Sequence, residues 1–261
     1  MSRILTFGAV LKGLPRKEFD RAVLRHHADK YCKHFTCWKH LVALVYAQLS
    51  GASSLRVLEL SFNSHVRDHA ALQAGVIHRT TLADANERRS SVVFDEMAAW
   101  LIGQAHRKAH RQAKALTCLL DSTSFTLKGQ QFDRWTLADR TRNTQGIKLH
   151  VLLDLSAKAP QWYSFSAANI NDVDQAAFVP LEPGALYVFD KGYCNYNWWK
   201  RIDDTGACFV TRFKNNAALV GQEERVIPLA EQGLVVRDEI VRFKRRRPSG
   251  KRINHYDKPL R

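Results

Sequence analysis

Two aspartates stand at positions where a carboxylate can do chemistry. Leu116-Thr-Cys-Leu-Leu leads into Asp121 and then Ser122-Thr123, while Leu186-Tyr-Val-Phe leads into Asp190 and then Lys191-Gly192-Tyr193. Both runs have the length and apolar character of buried strands. A carboxylate where a buried strand emerges is rigidly held, desolvated on one side and open on the other. Two of them on neighbouring strands can share a hard divalent cation, because Mg²⁺ takes oxygen ligands and keeps several waters. Such a site stabilises the attacking and leaving oxygens of a phosphodiester. An aspartate closing a strand is more often a turn residue, so each position says little alone; the pair, on a basic chain, points to chemistry. Asp154, in Leu-Leu-Asp-Leu-Ser, also ends an apolar run and reads as an ordinary strand exit.

The charge balance gives that pair a substrate class. Lys and Arg number 40 against 25 Asp and Glu, a formal charge of +15 and a pI near 9.8. Basic side chains that neutralise phosphates release condensed counterions, so this excess favours a nucleic-acid partner. With 45% apolar and 10% aromatic residues the chain is neither disordered nor fibrous. The longest apolar stretch, Leu41–Ala47, falls far short of the ~20 residues a membrane span needs. Ile4–Leu11 is followed by no small-residue cleavage site, which argues against a signal peptide. Five irregularly spaced cysteines suit a reducing compartment. The expectation is a soluble cytoplasmic protein, associated with the nucleoid and not with a membrane.

The elements that must position the aspartates change character near residue 115. Before it, the spacing is helical. Phe19, Ala22 and Val23 follow Pro15, and Trp38, Leu41, Val42, Val45 and Leu49 form a stripe that Gly51 stops. Ser53 or Ser54 suits the cap of a helix carrying Leu55, Leu58 and Phe62. A further helix is expected to start near Thr81, with Asp84 completing a weak capping box, and a longer one to carry Val93, Met97, Trp100 and Leu101. After it, Ile147, Leu149, Val151, Leu153 and Leu155 alternate as in a strand, helices are expected over 172–179 and 195–204, and strands over 186–189 and 207–211. Short β-like runs, 234–236 and 239–243, follow. Strands alternating with helices indicate an α/β core.

The segments LLDSTSF (119–125), RTRNTQGIKLHVLLDL (140–155) and FDKGYCNYNWW (189–199) resemble the catalytic core of bacterial insertion-sequence transposases of the DDE class. FTCWKHLVALVYAQLSGASSLR (35–56) and HRTTLADANERR (78–89) resemble the helical domain that precedes it. The resemblance implies three parts: a helical DNA-binding domain (1–112), a ribonuclease-H-like α/β core (113–218), and the start of a β-rich insertion (219–261). It implies Mg²⁺, with Mn²⁺ as substitute, held by three acids. Asp121 matches the first and Asp190 the second. Water would attack the phosphodiester at the element's end, and the freed 3′-OH would join target DNA. Lys191 and the Arg140, Arg142 and Lys148 group would neutralise phosphates, while Arg79, Thr81, Asn86, Arg88 and Arg89 would reach the duplex from the helical domain. The partners implied are double-stranded DNA, at element ends and target, and a second copy as a DNA-bound homodimer.

The third acid of the family is a Glu within Tyr-x2-Arg-x3-Glu-x6-Lys. No tyrosine here begins that spacing, and only five residues follow Tyr256. Glu223, Glu224, Glu231, Asp238 and Glu239 sit among polar, β-patterned residues and read as solvated surface. The expectation is therefore a truncated transposase, inactive in cleavage. The alternative is a non-enzymatic DNA-binding relic, or an inhibitor of a full-length transposase.

Other clusters read as structural. Cys32, His34, Cys37 and His40 match no standard zinc spacing, and His65 with His69 lacks a third ligand. Trp198 and Trp199 could stack on a base but fit packing beside a core strand better. The run 242–252 holds seven basic residues in eleven, suited to gripping phosphate or to a solvated loop.

Overall fold

The computed structural model describes residues 3–67, 72–110, 116–127, 145–244 and 254–261. The chain divides into two units, Met1–Leu101 and Ile102–Arg261.

Every regular element described in the first unit is a helix: α1 (Arg3–Lys12), α2 (Arg16–Arg25), α3 (Cys37–Ser50), α4 (Leu55–Asn63), α5 (Arg79–Arg88) and α6 (Val92–His110), which continues into the second. Local chemistry sets several ends. The Thr36 hydroxyl accepts from the Lys39 N–H at the start of α3. Gly51, at φ 67°, closes α3 in a left-handed conformation that costs glycine nothing. Ser54 Oγ accepts from the Val57 N–H, at 3.2 Å, to begin α4. The core gathers Phe19, Ala22, Trp38, Val42, Leu58, Phe62, Ile77 and Leu82. Leu49, expected on the α3 stripe, is 60% exposed. The expected cap at Thr81 is not what begins α5. The helix starts at Arg79 with His78 at its N-cap and no side-chain cap, and Thr81 lies inside it. Glu59 Oε1 takes the free Arg79 N–H at 3.1 Å, which removes the need for a hydroxyl cap. No single helix among the described residues is long and apolar enough to cross a membrane.

The second unit is built on a five-stranded sheet: β1 (Thr117–Thr126), β2 (Gly146–Asp154), β3 (Ala159–Ala167), β4 (Leu186–Phe189) and β5 (Cys208–Val210), in the order β3-β2-β1-β4-β5. β1, β2 and β3 are antiparallel neighbours, whereas β1, β4 and β5 run parallel. This mixed sheet is compatible with a ribonuclease-H-like core. Short helix α7 (Asp172–Gln175) precedes β4, and α8 (Tyr196–Asp204) joins β4 to β5, capped by Asn195, whose side chain accepts from the N–H groups of Asn197 and Trp198. Trp198, Trp199 and Ile202 on α8 are buried against Phe189 and Phe209, so the tryptophans are packing residues. A hairpin of β6 (Leu219–Glu224) and β7 (Glu239–Phe243) follows, and Phe243, Tyr256 and Leu260 join the same core as the sheet.

Three features of this unit differ from the sequence reading. β3 was not apparent, because Gln161-Trp-Tyr-Ser-Phe-Ser mixes polar and aromatic residues without clean alternation. Residues 234–236 form no strand, and Leu234 and Val236 are almost fully exposed. On β2 it is not the alternating apolar set that is fully buried. His150, Leu152 and Asp154 are at most 1% exposed, and Ile147, Leu149, Val151 and Leu153 are only half-buried on the other face. Polar side chains survive burial when hydrogen-bonded; His150 is bonded at both ring nitrogens and Asp154 through Oδ1, while Asp154 Oδ2 has no hydrogen-bond partner among the described residues.

Candidate active site

β1 does not stop at Asp121. It runs on against β2 to Thr126, with Asp121 opposite Val151. What ends there is the pairing with β4, whose last partners are Leu120 and Phe189. Asp121 and Asp190 are the next residue on each chain. They stand at the same level, Asp121 within β1 and Asp190 just past the end of β4, on parallel strands that run about 4.8 Å apart. Asp121, two residues past Leu119 within β1, belongs to the less buried face of that strand, and Asp190 caps the turn Lys191–Tyr193 just past β4.

Both aspartates are exposed, and each is pinned through one oxygen. Asp121 Oδ1 accepts from the Ser122 N–H at 2.7 Å, and Asp190 Oδ1 from the Gly192 N–H at 2.7 Å. Among the described residues neither Oδ2 meets a hydrogen-bond donor. Carboxylate oxygens such as these, at the end of two interior strands, are of the type Mg²⁺ or Mn²⁺ takes. Gly192 leaves room here for two carboxylates. A Cβ on it would lie 2.7 Å from Asp190 Oδ1 and 3.0 Å from Asp172 Oδ2. No three His, Cys, Asp or Glu side chains among the described residues are arranged to hold a metal ion together.

Beneath the pair lies a polar network that the sequence did not reveal. Asp172 Oδ1, at the start of α7, accepts from Lys148 Nζ at 3.0 Å and Ser122 Oγ at 3.2 Å. Lys148 Nζ also donates to the Ile170 carbonyl at 2.9 Å. His150 is bonded at both ring nitrogens, Nδ1 to the Tyr193 hydroxyl at 3.0 Å and Nε2 to Ser166 Oγ at 2.9 Å. Burial pushes the His150 imidazole below its usual pKa, against the pull of Asp172. Burial likewise pushes the Tyr193 phenol well above its usual value; Ser122 opposes that, and the charges of Asp172, Asp121 and Asp190 add to it. A neutral imidazole and a neutral phenol thus tie together the segments that carry Ser122, beside Asp121, and Tyr193, three residues past Asp190. The legible hint was two polar residues, Lys148 and His150, spaced two apart within a mostly apolar strand.

The remaining candidates fall in different places. Lys191 is exposed beside Asp190, whereas Lys148 is committed to Asp172 and Ile170 and only 14% exposed. Arg140 and Arg142 lie outside the described residues, as do His69 and most of the basic run 242–252. On α5, Arg79, Thr81, Asn86 and Arg88 are exposed, with Asn86 Oδ1 2.7 Å from His40 Nε2 and Arg88 paired with Asp84 at 2.8 Å. Arg89 does not face outward. Its Nη2 donates to the Phe35 carbonyl and sits 3.3 Å from Cys32 Sγ, and its guanidinium lies over the Phe35 ring. Cys37 is buried, and burial pushes its thiol up to about 12. Of the surface acids, Asp238 differs from the expectation. It is only 9% exposed, bonded by Arg261 at 2.7 Å and faced by Arg225, and the Arg261 contact holds its carboxyl below the usual range. Asp154 is a turn residue as expected, its Oδ1 accepting from the N–H groups of Ser156 and Ala157.

The mixed sheet brings two aspartates to the ends of the β1–β4 pairing on neighbouring parallel strands. Comparison with known proteins supplies the class. Residues 112–259, more than half of the chain, match the family model described as "Transposase DDE domain", and residues 2–69 match one described as "Domain of unknown function (DUF4372)". Over 159 residues, 60% of this chain, it is 39% identical to "Putative transposase y4zB" of Sinorhizobium fredii. It spans 44% of that relative's length. The chain belongs to the DDE transposases of insertion sequences.

Proposed function

We propose that this chain binds double-stranded DNA at the ends of an insertion sequence and directs metal-dependent phosphodiester cleavage and strand transfer there. The observation that carries the reading is the pairing of Asp121 and Asp190, adjacent on parallel strands, each pinned by one backbone N–H with its second oxygen open. Asp121 and Asp190 would hold Mg²⁺, or Mn²⁺ in its place. The ion, when bound, supplies Lewis-acid activation of the phosphodiester. Gly192 and the Asp172 network fix where the two carboxylates point, Lys191 neutralises phosphate beside them, and the exposed face of α5 (Arg79, Thr81, Asn86, Arg88) meets the duplex. Two copies act together on DNA.

Within these 261 residues only two of the family's three acids have a counterpart. Two carboxylates fix fewer oxygens than three, and phosphoryl transfer depends on holding both attacking and leaving oxygens in place. By itself this polypeptide should bind DNA and cleave it poorly. The test is an end-cleavage assay with duplexes carrying the element's termini. The 261-residue chain should bind and barely cleave. Joining it to a helix bearing the family's Glu should restore cleavage, and Asp121→Ala or Asp190→Ala should abolish it again. Robust metal-dependent cleavage by the chain alone would overturn the two-acid reading and point to one of Glu223, Glu224, Glu231, Asp238 or Glu239.

A further inference from the structure

The parallel strands β1, β4 and β5 all emerge at one end of the sheet, where open α/β sheets place their ligands. The first two deliver Asp121 and Asp190. The third delivers a loop, Lys214–Asn216, and this loop faces Asp190–Gly192 across an open cleft of about 470 Å³. Six residues line it: Asp190, Lys191, Gly192, Lys214, Asn215 and Asn216. The volume lies within the range of ordinary ligand clefts.

The lining has an unbalanced charge. Asp190 is its one carboxylate, against the two ammonium groups of Lys191 and Lys214, both exposed and without an ion-pair partner among the described residues. Three other lysines of this unit are paired, Lys200 with Asp204 at 3.0 Å, Lys258 with Asp203 at 2.6 Å and Lys148 with Asp172, whereas Lys158 and Lys244 are exposed and, among the described residues, also without an ion-pair partner. The loop is also held in position. Cys194 Sγ donates to the Arg212 carbonyl at 3.3 Å, tying the two walls together. Phe213 packs on Trp199 and Phe243, so the residues that follow it are turned to solvent. The Ala217 N–H closes a turn onto the Lys214 carbonyl.

We propose that Lys214, Asn215 and Asn216 form a backbone-phosphate subsite for the DNA strand, facing Asp190 across the cleft. The inference rests on the transposase reading and extends it to residues outside the aspartate pair. Lys214 acts as a point charge on a phosphate, and the two amides donate to phosphate oxygens or base edges. Lys191 closes the opposite wall, so the strand is held from both sides of Asp190.

The test is acetylation footprinting of the full chain, read by mass spectrometry, with and without a short mixed-sequence duplex whose binding is followed by fluorescence anisotropy. Lys214 and Lys191 should be protected several-fold by DNA, while Lys200, paired with Asp204, keeps its rate. Lys214→Ala should flatten the slope of log affinity against log salt by about 1, and Asn215→Ala with Asn216→Ala should weaken binding without changing that slope. Bound DNA that leaves Lys214 as reactive as before, or protects Lys200 equally, overturns the subsite and leaves the transposase reading standing. A chain that binds no DNA overturns both.

Discussion

In the helical unit His40 is 3% exposed, its Nε2 is 2.7 Å from Asn86 Oδ1, and its Nδ1 has no hydrogen-bond partner among the described residues. In the sheet unit His150 is 0% exposed and bonded at both nitrogens. The same contrast runs through the other polar groups. Asn63 closes two bonds with the Ile77 backbone, Trp38 Nε1 donates to the Leu72 carbonyl, and Arg89 turns inward to the Phe35 carbonyl. Each of these joins two segments and stops there. In the sheet unit, by contrast, Ser122, Lys148, His150, Ser166, Asp172 and Tyr193 come from five segments and converge under two exposed carboxylates. Buried polar groups that only close gaps between helices hold a fold together. Groups that converge on open carboxylates orient a site.

The largest effect should come from the open carboxylates. Asp190→Ala or Asp121→Ala should remove most Mn²⁺ binding measured by calorimetry, with the thermal midpoint nearly unchanged, because both residues are exposed. A large drop in the midpoint with metal binding intact would make them structural instead. Next come the groups that orient them. Gly192→Ala forces a Cβ against Asp190 Oδ1, and Tyr193→Phe leaves His150 Nδ1 unpaired. Losses of outer-shell partners cost metal sites about 10–100-fold in affinity, and each variant should show a loss of that order. Tyr193→Phe should also lower stability in urea by about 1–3 kcal/mol, the usual cost of a buried group left unpaired.

The helical unit supplies the control. Asn63→Ala breaks a two-bond clamp and should also cost about 1–3 kcal/mol, with Mn²⁺ affinity unchanged. If it weakens metal binding as much as Tyr193→Phe does, the contrast between the units fails. The smallest effect should appear on acidification. Burial lowers the pKa of both His40 and His150 from the usual 6.5. The unfolded chain therefore takes up protons first as pH falls, so stability is complete above that value and is lost as pH drops towards the folded pKa. Melting followed between pH 7 and pH 5 should show a falling midpoint. His150→Gln and His40→Gln should each flatten part of that fall, and an unchanged slope in both would remove the histidines as its cause.

Several elements were legible because their causes are local. Ser54 begins α4, Gly51 ends α3 and Asn195 caps α8 through contacts with residues a few positions away. The runs ending at Leu120 and Phe189 are apolar enough to be buried wherever they pair, so Asp121 and Asp190 were marked as strand-exit carboxylates by sequence alone. Thr81 misled because an acceptor from far along the chain, the Glu59 carboxylate, meets the Arg79 N–H instead.

The sequence by itself determined a helical first half, a strand-rich second half, a strong positive charge and two aspartates that follow buried apolar runs, of which only Asp190 is a strand exit, since period, composition and caps act over a few residues. Only the tertiary structure decided that β1 and β4 are neighbours in matching register, that the histidine face of β2 is the buried one, and that Lys148 serves Asp172 while Lys214 faces Asp190. Those outcomes depend on contacts between residues 24 to 69 positions apart, as Lys148 is from Asp172 and Asp121 from Asp190. No periodicity within one segment encodes which distant segment will complete its hydrogen bonds.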